Sequence, residues 1–258
     1  MAGETQILQQ LPKDAALFLD FDGTLVEIAA APSDVVVPES LPPLLDRLWR
    51  QLDGAIAIVS GRRVADIDSF LPSFRGPIIG LHGLERRTAA GEFRRRQIAS
   101  SLAEAREIIG ASLAGRDGVT IEDKEFSLAI HFRGAPLAAA ECLAAAELTV
   151  ARAKGALLLM PGKMLVEIGP QSMNKGAGIA DIMREPPFSG RLPVSIGDDV
   201  TDEDGFIEIN KRGGFSIHVG CKVDSAARFR LDDVRAVIAC LTAFAEDGEL
   251  RGPRPTSA

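Results

Sequence analysis

The sequence predicts an α/β protein: a parallel sheet with helices on both faces, interrupted by an inserted α+β unit. Three observations carry this. Two short, continuously apolar runs, Ala15 to Leu19 and Ala55 to Val59, each end on a polar residue and are followed by apolar residues at helical spacing, the pattern of strands buried on both faces with their crossover helices. Between Glu85 and Gly169 the character changes, and two runs, Val119 to Asp123 and Phe126 to Phe132, alternate instead, which points to a sheet with one wet face. From Lys175 the first pattern resumes, so the core is interrupted by the insert rather than followed by it. The expected units are residues 1–84 and 170–258 for the core and 85–169 for the insert.

In chain order, a Pro-punctuated loop from Ala31 to Pro43 leads to Leu44, Leu45, Leu48 and Leu52 at helical spacing. Ala55 to Val59 closes on Ser60-Gly61-Arg62, Val64, Ile67, Asp68 and Leu71 mark the next helix, and Ile78 to Leu81 reads as a third strand. In the insert, charged turns precede an Ala-rich helix, Ser100 to Leu113, and two runs, Val119 to Asp123 and Phe126 to Phe132. A second Ala-rich helix, Leu137 to Ala153, precedes strands Ala156 to Met160 and Met164 to Ile168. This content suits an open sheet backed by two helices, a separate lid. The returning core gives a helix from Lys175 to Met183, a strand Pro193 to Ile196, a helix near Asp204 to Asn210, and a strand Phe215 to Val219. A last helix packs through Ile238, Leu241 and Phe244, and the Pro-rich, polar Gly248 to Ala258 is expected to fray.

Composition narrows the partners. A formal net charge of −7 and a pI near 5.1 leave no global basic field to draw the chain to nucleic acid or an anionic membrane, so any phosphate affinity must be local. Met1 to Lys13 lacks the layout of a signal peptide, and no apolar run is long enough to span a bilayer. A cytoplasmic monomer is expected. Cys142, Cys221 and Cys240 are scattered and lack C-x-x-C spacing, which argues against a disulfide framework or a zinc site.

The chemistry gathers where apolar strands end. Leu17 to Ile28 reads L-F-L-D-F-D-G-T-L-V-E-I, so a buried strand delivers Asp20 and Asp22 to its carboxyl edge, where ligands bind in open α/β sheets. Two close carboxylates repel, and a hard dication such as Mg²⁺ relieves that repulsion through oxygen ligands. Gly197-Asp198-Asp199-Val200-Thr201-Asp202-Glu203-Asp204 is a second strand tip rich in acids. Glu203 and Asp204 suit a helix N-terminus, which leaves Asp198 as a third metal carboxylate and Asp199 and Asp202 as outer or water-mediated ligands. Ser60 follows the second strand as Asp20 follows the first, and serves either as a helix cap or as a phosphoryl contact. Arg62 is a surface charge or a phosphate or sugar contact. Lys175 opens the first core helix after the insert, where its ammonium can pair with Asp20 and a phosphate.

The D-x-D-G-T-L string, with Ser60, Lys175 and the Asp198/Asp199/Asp202 acids in that order, resembles the haloacid dehalogenase superfamily of phosphohydrolases. That resemblance implies a Rossmann-like core with the insert as its cap, Asp20 as nucleophile, Asp22 as general acid/base, Thr24, Gly61 and Gly83 near the substrate, and Mg²⁺ as cofactor. Strings at the edges of and within the insert, His82-Gly83-Leu84-Glu85, Glu122-Asp123-Lys124, His131-Phe132-Arg133 and Lys163 to Glu167 (G-K-x-x-x-E), resemble trehalose-6-phosphate phosphatases. In that family such residues hold the sugar, which implicates Glu122, Lys124, Lys163 and Glu167, with Arg133 and His82 as further candidates. Each of these taken alone also fits a solvated strand face. The family commonly continues with an Arg where this chain has Gly169. A small sugar phosphate is the expected partner. Sucrose or glucosylglycerol phosphate, a phosphomutase reaction, and a catalytically silent sugar-binding module are the alternatives.

Overall fold

The protein is seen in a computed structural model that describes residues 14–29, 31–96, 101–124, 126–162, 164–171, 174–221, 224–248 and 250–256. Strand β1 (Ala15–Leu19) lies at the centre of the main sheet, every residue fully buried. Burying Leu17, Phe18 and Leu19 contributes roughly 1.5–3 kcal/mol for each side chain, which helps to offset the carboxylates gathered just beyond the strand. Helix α1 (Leu41–Gln51) follows, burying Leu41, Leu44, Leu45 and Leu48, the i, i+3, i+4, i+7 stripe of an amphipathic helix. Then come β2 (Ile56–Val59), α2 (Val64–Phe70) and β3 (Ile78–Gly80), and a hairpin of β4 (Glu85–Arg87) and β5 (Phe93–Arg95).

The insert contains α3 (Ser101–Ser112), β6 (Thr120–Asp123), β7 (Leu128–His131), α4 (Ala139–Arg152), β8 (Leu157–Gly162) and β9 (Leu165–Pro170). The chain continues through α5 (Lys175–Ile182), β10 (Leu192–Gly197), α6 (Glu203–Lys211), β11 (Phe215–Val219), β12 (Phe229–Leu231), α7 (Val234–Asp247) and β13 (Arg254–Pro255). Among the described residues, nine strands form one sheet in the order β13-β12-β11-β10-β1-β2-β3-β4-β5, and four form a second in the order β6-β7-β9-β8. From β12 to β3 the main sheet is parallel, while β13, β4 and β5 run antiparallel at its two ends. The second sheet is antiparallel throughout, and Leu128, Ile130, Val166 and Ile168 on one of its faces pack against Leu102, Ala105, Ile109, Cys142 and Ala146 of α3 and α4.

The described residues divide into two compact units, one running to Arg95 and resuming at Asn174, the other lying between Arg96 and Met173. Residues 85–95 stay with the main sheet because β4 pairs with β3 and β5 with β4; the charged turns expected there are short strands. The terminal stretch expected to fray also adds to this sheet: Arg254 and Pro255 pair with β12, and the Thr256 amide donates to the Arg228 carbonyl at 3.0 Å. No helix among the described residues is long and apolar enough to cross a membrane.

The topology places the chemistry. β1 has β10 on one side and β2 on the other, so the direction of winding reverses at β1, and a crevice opens at the carboxyl ends there. Asp20, Ser60 and Asp198 are the first residues after β1, β2 and β10; three adjacent parallel strands thus deliver them to one edge.

Candidate active site

Gly23 makes the turn after β1 possible. Its φ of +76° suits glycine, and a Cβ there would stand 2.2 Å from Asp198 Oδ2, so the D-x-D-G loop and the Asp198 carboxylate can close on each other only without a side chain. Thr24, expected near the substrate, is fully buried and donates its hydroxyl to Asp198 Oδ1 at 3.3 Å. It orients that carboxylate instead, because the turn carries its side chain inward.

Lys175 is the first residue of α5, whose start is fixed by the Asn174 side chain accepting from the Ala177 amide at 2.8 Å. Its ammonium, only 3% exposed, donates to Asp20 Oδ1 at 2.8 Å and to Asp202 Oδ1 at 2.7 Å. Asp202 is held at its other oxygen by the Asp199 amide at 3.1 Å. Removing the lysine would leave two buried carboxylates uncompensated, a loss of about 3–5 kcal/mol for a buried pair. The two acids hold the Lys175 pKa above its ordinary value against the opposing effect of burial. Burial pushes the Asp20 carboxyl well up, with Asp202 and Asp198 adding to the rise and Lys175 opposing it. Asp198 is pushed up to about 6, first by burial and then by the charge of Asp202.

Asp20, Asp198 and Asp202 each offer an oxygen within 4.8 Å of the others. Three carboxylates against one ammonium leave two negative charges uncompensated. That balance and the hard oxygen donors fit a divalent cation. Asp22, expected among the metal ligands, is elsewhere engaged: both its oxygens accept from Arg62, at 2.7 Å from Nε and 2.8 Å from Nη2. Arg62 is in turn stacked on Phe70 and Phe21, with its guanidinium carbon 5.1 and 5.9 Å from the ring centroids. While that fork holds, each Asp22 oxygen has one acceptor site committed to Arg62. Asp199 contributes its amide to Asp202, and its carboxylate accepts from Thr201 Oγ1 at 3.4 Å.

Ser60, 1% exposed, accepts the Arg62 amide at 3.1 Å through its hydroxyl. It shares a cavity of about 580 Å³ with Asp20, Asp22, Lys175 and Asp198, and Gly61, Arg62 and His82 form another part of the lining. Gly83, expected at the substrate, is buried with its Cα against the Asn174 backbone; it packs the start of α5 rather than lining the cavity.

In the insert, Glu122, Lys124 and Glu167 are held in two polar pairings, Glu122 with His131 and Glu167 with Lys124 and Ser127. Lys124 Nζ lies 3.0 Å from Glu167 Oε2, and His131 Nε2 lies 2.9 Å from Glu122 Oε2. The Ser127 hydroxyl donates to Glu167 Oε1. Arg133 is exposed just beyond β7, and Lys163 lies outside the described residues. His131 and Ser127 were not expected from the sequence as partners of these acids. The signal for both was the period-two alternation of β7, which puts residues 127, 129 and 131 on the face opposite the buried Leu128 and Ile130.

Comparison with known proteins follows the same lines. The trehalose-phosphatase family model matches residues 18–235. A probable trehalose-phosphate phosphatase from Sinorhizobium fredii is 40% identical over 230 residues, 88% of this chain and 87% of that protein. The trehalose-6-phosphate phosphatase of Escherichia coli is 36% identical over 219 residues, 84% of this chain and 82% of that one. Among solved structures, the C-terminal domain of a C. albicans trehalose-6-phosphate phosphatase shares the fold with a TM-score of 0.74 at 22% identity, over 91% of this chain and 92% of that one. The fold class expected from the sequence is the one observed.

Proposed function

The chain belongs to the trehalose-phosphatase family, and on that premise we propose that it hydrolyses trehalose 6-phosphate to trehalose and inorganic phosphate at the Asp20 edge. The observation that carries the reading is the buried Lys175 ammonium bridging Asp20 and Asp202 beside Asp198 at the ends of adjacent strands. Such a constellation favours a phosphoryl group, whose negative oxygens add to an ammonium and a dication rather than to bare carboxylates.

In the first step an Asp20 oxygen attacks phosphorus, the bond from phosphorus to the sugar oxygen breaks, and Asp22 gives that oxygen a proton. In the second, water attacks the phosphorus of the aspartyl phosphate, Asp22 takes the water's proton, and Asp20 is freed. Release of the Arg62 fork would free Asp22 for these transfers. An arriving phosphate offers the guanidinium two oxygens in exchange for those of Asp22. Lys175 orients the Asp20 carboxylate and opposes the burial that raises its pKa, and Ser60 adds a hydroxyl toward the phosphoryl oxygens. Asp20, Asp198 and, at its free lone pairs, Asp202 would hold Mg²⁺, which supplies positive charge to the transferring group when bound. The polar residues of the second sheet, Glu122, Lys124 and Glu167, would supply the paired donors and acceptors that sugar hydroxyls require.

A phosphate-release assay over a panel of sugar phosphates with Mg²⁺ tests this reading. Trehalose 6-phosphate should be turned over far faster than sucrose 6-phosphate, glucosylglycerol phosphate or glucose 6-phosphate. Faster release from another member of the panel would reassign the sugar, and release from none would end the phosphatase reading.

A further inference from the structure

The loop Ser60 to Val64 carries two of the groups assigned to phosphate, yet its residues come from a separate strand and must be kept in place beside Asp20. Its backbone is fastened step by step to the segment Ile79 to Leu84. The Ser60 amide donates to the Ile79 carbonyl at 2.8 Å, the His82 amide to the Ser60 carbonyl at 3.0 Å, and the Leu81 amide to the Arg62 carbonyl at 2.9 Å. Gly80 lies close beneath, where a Cβ would come within 2.9 Å of the Arg62 carbonyl oxygen and the Val64 nitrogen. The last fastening differs in kind. The Val64 amide, the first of α2, donates to Glu85 Oε1 at 2.7 Å, and Arg95 donates to Glu85 Oε2 at 2.9 Å.

Glu85 is 2% exposed and sits opposite both Gly80 and Arg95 in its sheet register. Burying a carboxylate is costly unless it is paired and hydrogen-bonded, and here one oxygen goes to a loop amide and the other to the last residue of the core before the chain enters the insert. A buried acid on β4, between β3 and β5, does nothing for the core that an apolar side chain would not do. Its distinctive effect is to fix the end of the Ser60 loop.

We propose that Glu85 is a positioning residue for phosphate binding: its carboxylate clamps the Val64 amide and so holds Ser60 and Arg62 in place beside Asp20. This rests on the phosphatase reading of the site. It gives a role to the glutamate that ends the His82-Gly83-Leu84-Glu85 string, which touches none of the reacting groups.

Calorimetric titration of the full chain with inorganic phosphate in Mg²⁺ tests the proposal. Glu85→Gln keeps an acceptor for the Val64 amide and should bind phosphate within about threefold of wild type, whereas Glu85→Ala and the volume-keeping Glu85→Met remove it and should bind about tenfold more weakly. In the latter two, KM for the phosphate ester should rise in step, with kcat less affected and Mg²⁺ affinity unchanged. Phosphate affinity that is the same in all four proteins, or that falls equally in Glu85→Gln and Glu85→Ala, would overturn the proposal. Wild-type protein that binds no phosphate would instead remove the reading of the site on which it rests, so the two failures are told apart.

Discussion

At the scale of single residues, the site is a problem in crowded charge. Asp198 has its pKa raised from the ordinary 3.8 to about 6 by burial and by Asp202. Between those two values the folded chain binds a proton that the unfolded chain does not, so this group's contribution to stability is present below about pH 4 and is lost as pH rises through about 6. On the proposed reading, a divalent cation would take over the proton's task above that range. Adding Mg²⁺ to metal-free protein should therefore raise the melting temperature more at about pH 7.5 than at about pH 5, by about 2–4 °C for each kcal/mol that cation binding adds. Calorimetric scans at the two pH values with and without Mg²⁺ would show this; an equal shift, or a larger one at the lower pH, would mean that these acids do not hold the cation. Which residues gather here was legible in the sequence, because Asp20, Ser60, Lys175 and Asp198 each sit at the tip of an element whose apolar pattern is plain. Their pairings were not. Nothing in the sequence tells that Arg62 forks onto Asp22 rather than facing solvent, or that Thr24 turns inward to Asp198, since a side chain's direction in a turn depends on backbone angles that composition does not fix.

At the scale of elements, β7 and β9 decide what the polar face of the second sheet can do. The residue of β7 opposite Glu167 is Ala129, small enough to leave the Glu167 carboxylate to Lys124 and Ser127 on neighbouring positions. Fixing the carboxylate at both oxygens would lower the entropy lost on binding a sugar hydroxyl, the role proposed for it. Glu167→Ala should lower kcat/KM on trehalose 6-phosphate by about five- to 150-fold, since a lost hydrogen-bond partner is worth roughly 1–3 kcal/mol. Hydrolysis of p-nitrophenyl phosphate, which has no sugar to recognise, should change by less than about twofold in the same variant. Comparable losses on the two substrates would assign Glu167 to folding rather than recognition. The strands themselves were legible from alternation, and the helices from apolar spacing. The β4–β5 hairpin escaped because three-residue strands made largely of arginine, Glu85–Arg87 and Phe93–Arg95, carry no apolar period. Their charges are instead satisfied by acids such as Asp68 and Glu185 that lie far away in sequence.

At the scale of the whole molecule, the division of labour follows from the chain's path. An α/β core that is entered, left and re-entered keeps Asp20, Ser60 and Asp198 on adjacent strand ends, while the insert carries a second sheet with its own apolar cluster. The sequence announced the interruption through the change from continuous to alternating apolar runs. It did not announce that the core keeps residues 85–95 and gains a strand from Arg254 and Pro255, because both depend on pairing to distant strands. Everything in the proposed reaction converges on one group, the Asp20 carboxylate, buried at 5% exposure and held by Lys175. The most direct test is turnover of trehalose 6-phosphate by Asp20→Asn beside wild type, with melting temperature and circular dichroism confirming that the variant is folded. Asparagine keeps the size and an acceptor for Lys175 but cannot form an acyl phosphate, so turnover should fall by more than about a thousandfold; a folded Asp20→Asn protein that retains near wild-type turnover would contradict the account.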